Sequence, residues 1–208
     1  EVMGGEMLKD LEYWNHNTVY YNWIKKQLKQ SNRILDIGCG NGFLIRYLDD
    51  GTKFLMGIDS DKFCIEKAKE RNVSPSCSFV CCDYEDFNDE EPFDAIVFVA
   101  SIHHMNMINS IKKAKSMLSK NGILIIVGLS KPSNLMDYLI EGMRTIPCMI
   151  ISKIKKMRSS EDNNIPVSYN VPYLDDVRRI VSEELPRCEI RMGLYYRYLL
   201  KWEKISKV

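Results

Sequence analysis

The residues best equipped for chemistry lie in the stretch D-I-G-C-G-N-G at positions 36 to 42. Asp36 stands just ahead of a turn whose glycines, Gly38, Gly40 and Gly42, leave bare backbone for a ligand to touch. Such a turn also aims unpaired helix N–H groups at whatever sits against it. Two further carboxylates close later apolar runs. Asp59, roughly twenty residues beyond the turn, is placed to accept hydrogen bonds from two ribose hydroxyls. Asp83, within C-D-Y-E-D at 82 to 86, can accept from an adenine amino group while Tyr84 covers the ring. Plainer roles stand beside these: Asp59 or Ser60 as cap of the helix beginning near Asp61, and the 83 to 86 cluster as a solvated loop.

These side chains need a framework, and the pattern around them supplies one. Ile34, Leu35 and Ile37 form a run suited to a strand buried on both faces, and Phe43 to Leu48 has apolar residues at helical spacing. Strand-like and helix-like segments then alternate: strand 53 to 58, helix 61 to 71, strand 77 to 82, strand 93 to 100, helix 107 to 118, strand 123 to 128. Short connections between them imply right-handed crossovers and a parallel sheet covered on both faces. Ahead of the core, residues 6 to 30 read as an N-terminal cap helix, broken once at most, whose W-N-H-N at 14 to 17 and Tyr20-Tyr21 suit a pocket lining. Beyond the core, 131 to 165 reads as a methionine-rich lid inserted over the pocket. Residues 172 to 203 read as a closing helix, with Leu174, Val177, Ile180, Val181 and Leu185 inward, followed by an antiparallel edge hairpin. Asp94 opens its strand at the end away from the ligand edge and is structural.

The 208 residues are 45% hydrophobic, enough for one full core, and form one domain. Lys plus Arg (29) nearly balance Asp plus Glu (28), so no general charge bias points to nucleic acid or a membrane surface. The seven cysteines include no C-x-x-C pair, which argues against a disulfide framework, a zinc site or an iron–sulfur cluster, so no metal is expected. With no apolar run long enough to span a bilayer, a cytoplasmic protein is expected.

A dinucleotide site of the form G-x-G-x-x-G, counted from Gly38, requires a third glycine at 43, where this chain has Phe43. The set D-I-G-C-G-N-G at 36 to 42, G-I-D at 57 to 59, C-D-Y at 82 to 84, F-D-A-I-V at 93 to 97 and K-N-G-I-L at 120 to 124 instead resembles the class I S-adenosylmethionine-dependent methyltransferases. W-N-H-N and the Y-Y-R-Y-L-L-K-W-E at 195 to 203 resemble a small stand-alone bacterial branch of them. The resemblance implies an α/β, Rossmann-like, doubly wound sheet of seven strands, six parallel and one antiparallel. It implies S-adenosylmethionine as cofactor, with Asp36, Gly38 and Gly40 at its methionine end, Asp59 at the ribose, and Asp83 with Tyr84 at the adenine. Cys39, Ser60 and Ala100 complete the expected cofactor set.

Methyl transfer from a sulfonium is an in-line displacement, so the protein must align two reactants and exclude water. A base is optional, since a carboxylate acceptor arrives deprotonated. His103 and His104, leaving the fourth strand at the ligand edge, are expected with Tyr20 on the catalytic side; His16 is a further candidate, and all three histidines can equally be structural. The expected acceptor is a small molecule or short peptide and not nucleic acid, because the Asn-Pro-Pro-Tyr type of tetrapeptide and a broad basic surface are both missing. A carboxylate is the preferred acceptor, with Arg144, Lys153, Lys155 and Lys156 available to hold an anion. A non-catalytic cofactor-binding regulator and an NAD-dependent oxidoreductase are the alternatives, the latter opposed by Phe43.

Overall fold

The computed structural model describes residues 15–72, 74–135, 137–139, 142 and 171–205. Five short segments form parallel strands: β1 (Arg33–Ile37), β2 (Phe54–Asp59), β3 (Cys77–Cys81), β4 (Phe93–Val99) and β5 (Leu118–Leu129). A hairpin, β6 (Glu189–Met192) and β7 (Arg197–Glu203), completes a seven-stranded sheet ordered β3-β2-β1-β4-β5-β7-β6. β7 is antiparallel to both its neighbours, so six strands run one way and one the other, as the sequence predicts.

Alternation along the strands builds two cores. Leu35, Ile37, Ile96, Phe98, Leu124 and Ile126 face one side, where α4 (Met107–Met117) and α5 (Leu174–Glu184) cover them with Ile111, Ala114, Val177 and Val181. Ile34, Ala95, Val97, Ile125 and Val127 face the other, beneath α1 (Tyr21–Gln27), α2 (Phe43–Leu48) and α3 (Lys62–Glu70). A slip of one residue in β1 would exchange the two sets and drive the Asp36 carboxylate into the α4 and α5 core, so two-sided burial fixes the register that aims Asp36.

Local chemistry sets the helix starts. Asp61 caps α3, its Oδ1 accepting from Phe63 N–H at 2.8 Å and Cys64 N–H at 3.2 Å. Asn106 caps α4 through Asn109 N–H at 3.1 Å. Capping by Asp61 leaves Asp59 and Ser60 without that duty. Asp94 is structural, as expected: its Oδ2 accepts from the Asn32 and Arg33 amides at 2.9 and 3.1 Å, tying β4 to the start of β1.

Two boundaries differ from expectation. Within the predicted 6 to 30 helix, the described part is a 3-10 turn at Thr18–Tyr20 followed by α1; Asn15 Oδ1 takes the Asn17 and Thr18 amides and so holds the chain in a turn there. Residues 6–14 lie outside the described residues. β5 begins at Leu118, not 123, because Leu118 pairs with Phe93 before a register irregularity, with Asn121 left-handed at φ 62°. Of the predicted lid, residues 136, 140–141 and 143–165, with Arg144, Lys153, Lys155 and Lys156, lie outside the described residues.

Candidate active site

The carboxyl-terminal ends of β1, β2 and β4, the start of the chain's described part and the start of β7 surround a cavity of about 420 Å³. Ligands of open α/β sheets bind at this edge, outside the strand ends. Every residue expected to hold a cofactor lines it: Asp36, Gly38, Cys39, Gly40, Asp59, Ser60, Asp83, Tyr84 and Ala100. So do His103, His104 and His16.

The glycine turn is shaped by sterics. Gly38 and Gly42 both have φ of 72°, and a side chain at either would collide, with Ser101 Cβ at the first and with the Phe79 ring at the second. Asp59 then locks the turn from β2: its Oδ2 accepts from Gly40 N–H at 2.8 Å and its Oδ1 from Asp61 N–H at 2.9 Å. Both oxygens keep a second acceptor position, so the ribose role and this bracing role coexist.

Asp36 is the unusual member. It occupies the strand position that a core aliphatic would fill, is 2% exposed, and its Oδ1 is buried with no hydrogen-bond partner. Burial, aided by the charge of Asp59, raises its pKa to about 8. A buried carboxyl facing a cavity without a donor is an acceptor that a ligand's ammonium would satisfy. Asn41 repeats the pattern: it is 1% exposed, lines the cavity, and neither side-chain amide atom has a partner. Sequence reasoning missed it, although its place inside the G-N-G turn was visible.

Three expected residues have plainer settings. The Cys39 side chain is buried and packs over Gly57, and burial pushes its thiol well above the ordinary range. Tyr84 is a core residue, edge-on to Phe98 at 5.6 Å, with its hydroxyl donating to the Ser110 carbonyl, so its ring is committed to packing where a cover for an adenine was expected. Asp83 is exposed, and its Oδ1 accepts from the Glu85 amide at 2.9 Å in a tight turn. The structure does not bring Tyr20 into the cavity: it is buried, and its hydroxyl donates to the Leu194 carbonyl at 2.6 Å, bracing the 193 to 196 turn.

The far wall has a different character. His103 and His104 sit on a 3-10 turn, Ile102–His104, with ring centroids 4.2 Å apart. Burial, His104 and Arg197 together push His103 down to about 4, so its imidazole is neutral at physiological pH, and its Nδ1 is buried without a partner. His16 meets Tyr195 edge-on at 4.6 Å and is also shifted down, by burial and then by Arg197. Asn15, Asn17 and Tyr21 line this wall too, which places the W-N-H-N segment against the pocket as its polar character suggests; Trp14 lies outside the described residues.

Arg197, the second residue that sequence reasoning missed, completes this wall at the first position of β7. Its only signal was its place in Y-Y-R-Y. The two residues before it, Tyr195 and Tyr196, have φ of 59° and 55°, a left-handed conformation costing side-chain-bearing residues about 1–2 kcal/mol each. Ala100, at the end of β4, shares that conformation at φ 54°. Strained backbone thus borders the cavity on two sides.

A family model described as a methyltransferase domain matches residues 34–122. An uncharacterized methyltransferase of Mycobacterium tuberculosis is 25% identical over 195 residues, covering 91% of this chain and 96% of that protein. The structure of plantazolicin methyltransferase in complex with a triazolic desmethylPZN analog and SAH superimposes with a TM-score of 0.61 at 19% identity, covering 90% of this chain and 82% of that one. Magnesium protoporphyrin IX methyltransferase from Synechocystis PCC 6803 with bound SAH gives 0.60 at 16% identity, covering 91% and 83%. At such identities the two solved structures speak for the fold.

Proposed function

We propose that the chain is a class I S-adenosylmethionine-dependent methyltransferase that methylates a small molecule or short peptide, with a carboxylate oxygen as the accepting atom. The observation that carries the placement of the cofactor is the buried, unpartnered Asp36 oxygen beside the glycine turn. In this reading Asp36 accepts from the ammonium of the cofactor's methionine end and the Gly38 to Gly40 backbone holds that end. Asp59 accepts from the ribose hydroxyls, and Asp83 takes the adenine side. The bound cofactor supplies an electrophilic sulfonium methyl. What the protein adds is alignment and the exclusion of water, for which a cavity walled by Asn15, His16, His103 and Leu129 is suited.

A carboxylate acceptor suits the histidine pair. His103, neutral down to about pH 4, is a weak base and a serviceable hydrogen-bond partner, so an acceptor that has already lost its proton asks nothing more of it. His104 stands beside it as the second group facing the acceptor.

Calorimetric titration of the wild type and of Asp59→Ala with S-adenosylhomocysteine and, in parallel, NADH tests the cofactor assignment. Micromolar binding of the first alone, weakened in the variant, is expected. Binding of NADH alone would overturn the assignment.

A further inference from the structure

Arg197 is 8% exposed and yet lines the cavity. One of its Nη atoms donates to Asn17 Oδ1 at 2.8 Å, the other reaches the Tyr195 carbonyl at 3.5 Å, and its Nε is buried with no partner. Among the described residues no carboxylate lies within ion-pair distance of it. A guanidinium carries five N–H donors, and here neutral oxygens take two of them. Leaving a buried cation uncompensated is unfavourable, and burial has already pushed this one down to about 10. A residue needed only to brace the hairpin would require no charge, since Tyr20 already ties its hydroxyl to Leu194 there.

We propose that Arg197, oriented by Asn17, is the receptor for a carboxylate carried by the methyl acceptor. The planar fork of the guanidinium matches the two oxygens of a carboxylate, and a carboxylate so held keeps a second lone pair on each oxygen. This inference rests on the methyltransferase reading above. The cofactor also has a carboxylate, but the sheet separates the two ends of the cavity. Asp36 stands on β1 and Arg197 on β7, with β4 and β5 between them. The ammonium and carboxylate of an amino acid share one carbon, so a methionine end anchored at Asp36 keeps its carboxylate on that side.

The test uses the full chain saturated with S-adenosylhomocysteine. Sodium benzoate and N-acetylphenylalanine are titrated against their uncharged counterparts, benzamide and N-acetylphenylalaninamide. The readout is the Arg197 Nε–Hε resonance, assigned in the wild type, together with calorimetric affinity in Arg197→Gln and Asn17→Ala. The expected result is a saturable shift with at least one carboxylate and none with its amide. Carboxylate affinity should fall at least tenfold in Arg197→Gln and about threefold in Asn17→Ala, with S-adenosylhomocysteine affinity within twofold of wild type in both. Equal behaviour of acid and amide, or an unmoved resonance, would overturn the proposal, and the wild-type titration decides this even if Arg197→Gln fails to fold. Tenfold weaker S-adenosylhomocysteine binding in Arg197→Gln would also overturn it, by assigning Arg197 to the cofactor's carboxylate. Failure of S-adenosylhomocysteine to bind the wild type is a separate result, which removes the premise itself.

Discussion

The two ends of the cavity solve opposite electrostatic problems with opposite architectures. At one end, two carboxyl groups with no cation beside them among the described residues, Asp36 and Asp59, stand on adjacent strands and are joined by a turn of three glycines. At the other, a guanidinium with no anion beside it among the described residues stands among imidazoles and amides drawn from residues 15–17, 103–104 and 197. The first end is a strand–turn–helix unit of consecutive residues, braced by Asp59 from the next strand. The second exists only because β7 inserts beside β5 and brings Arg197 opposite Leu129. The two ends of the cavity thus differ in charge from the outset, acidic beside the glycine turn and basic at Arg197.

The sharpest way to break this contrast is Gly38→Ala. Left-handed strain and collision with Ser101 should together cost about 3 kcal/mol and abolish measurable S-adenosylhomocysteine binding, as thermal denaturation and calorimetry would show. Asp36→Asn separates binding from stability. In the native state this carboxyl holds its proton up to about pH 8, whereas the unfolded chain releases it near 3.8. Between those values the native state binds more protons, so stability falls as pH rises, by up to about 1.4 kcal/mol per unit. The asparagine variant should therefore unfold at a higher temperature than wild type at pH 9, while binding S-adenosylhomocysteine on the order of 100-fold more weakly. Equal melting temperatures at pH 9 would show that the buried carboxyl is not strained.

Asp59→Ala removes charge-assisted bonds to the Gly40 and Asp61 amides and should weaken S-adenosylhomocysteine roughly 10- to 100-fold, measured by calorimetry. At the other end, His103→Gln should leave that affinity within about twofold. It should also flatten the pH dependence of stability below 6.5. His103 stays neutral in the fold down to about 4, so its contribution is present above 6.5 and is lost as pH falls. NMR titration of the wild-type imidazole checks this directly: its C–H signals should hold steady through pH 6.5. The smallest effect belongs to Tyr20→Phe, which loses the bond to Leu194 for about 1 kcal/mol and leaves cofactor affinity unchanged in a melting and binding comparison.

Legibility in the sequence followed the same division. The strands and helices between Arg33 and Leu129 came through within a few residues, because runs buried on both faces and glycine punctuation are local signals; β5 alone began early, where Leu118 pairs outside any apolar run. Asp36 and Gly38 could be named because their turn is written in consecutive residues, and Asp59 because it closes the next apolar run. Tyr84 lines the cavity, yet its ring also packs edge-on to Phe98, a core contact that an aromatic beside an acidic group does not announce in sequence. Arg197 and Asn17 were illegible as a pair, since only the antiparallel return of β7 makes neighbours of residues from opposite ends of the chain.

That return has a consequence for how the molecule is made. β5 rests the outer edge of its C-terminal part on β7, from Ile123 against Glu203 to Leu129 against Arg197. On a ribosome, the first five strands emerge before β7 exists, and a twelve-residue strand rich in Ile and Leu then presents bare N–H and C=O groups to its surroundings. The nascent chain is therefore prone to aggregation in the interval between the emergence of β5 and that of β7. Slowing translation just before the β6–β7 hairpin should lower soluble yield more than slowing it ahead of β5, while coexpressed holdase chaperones should restore it.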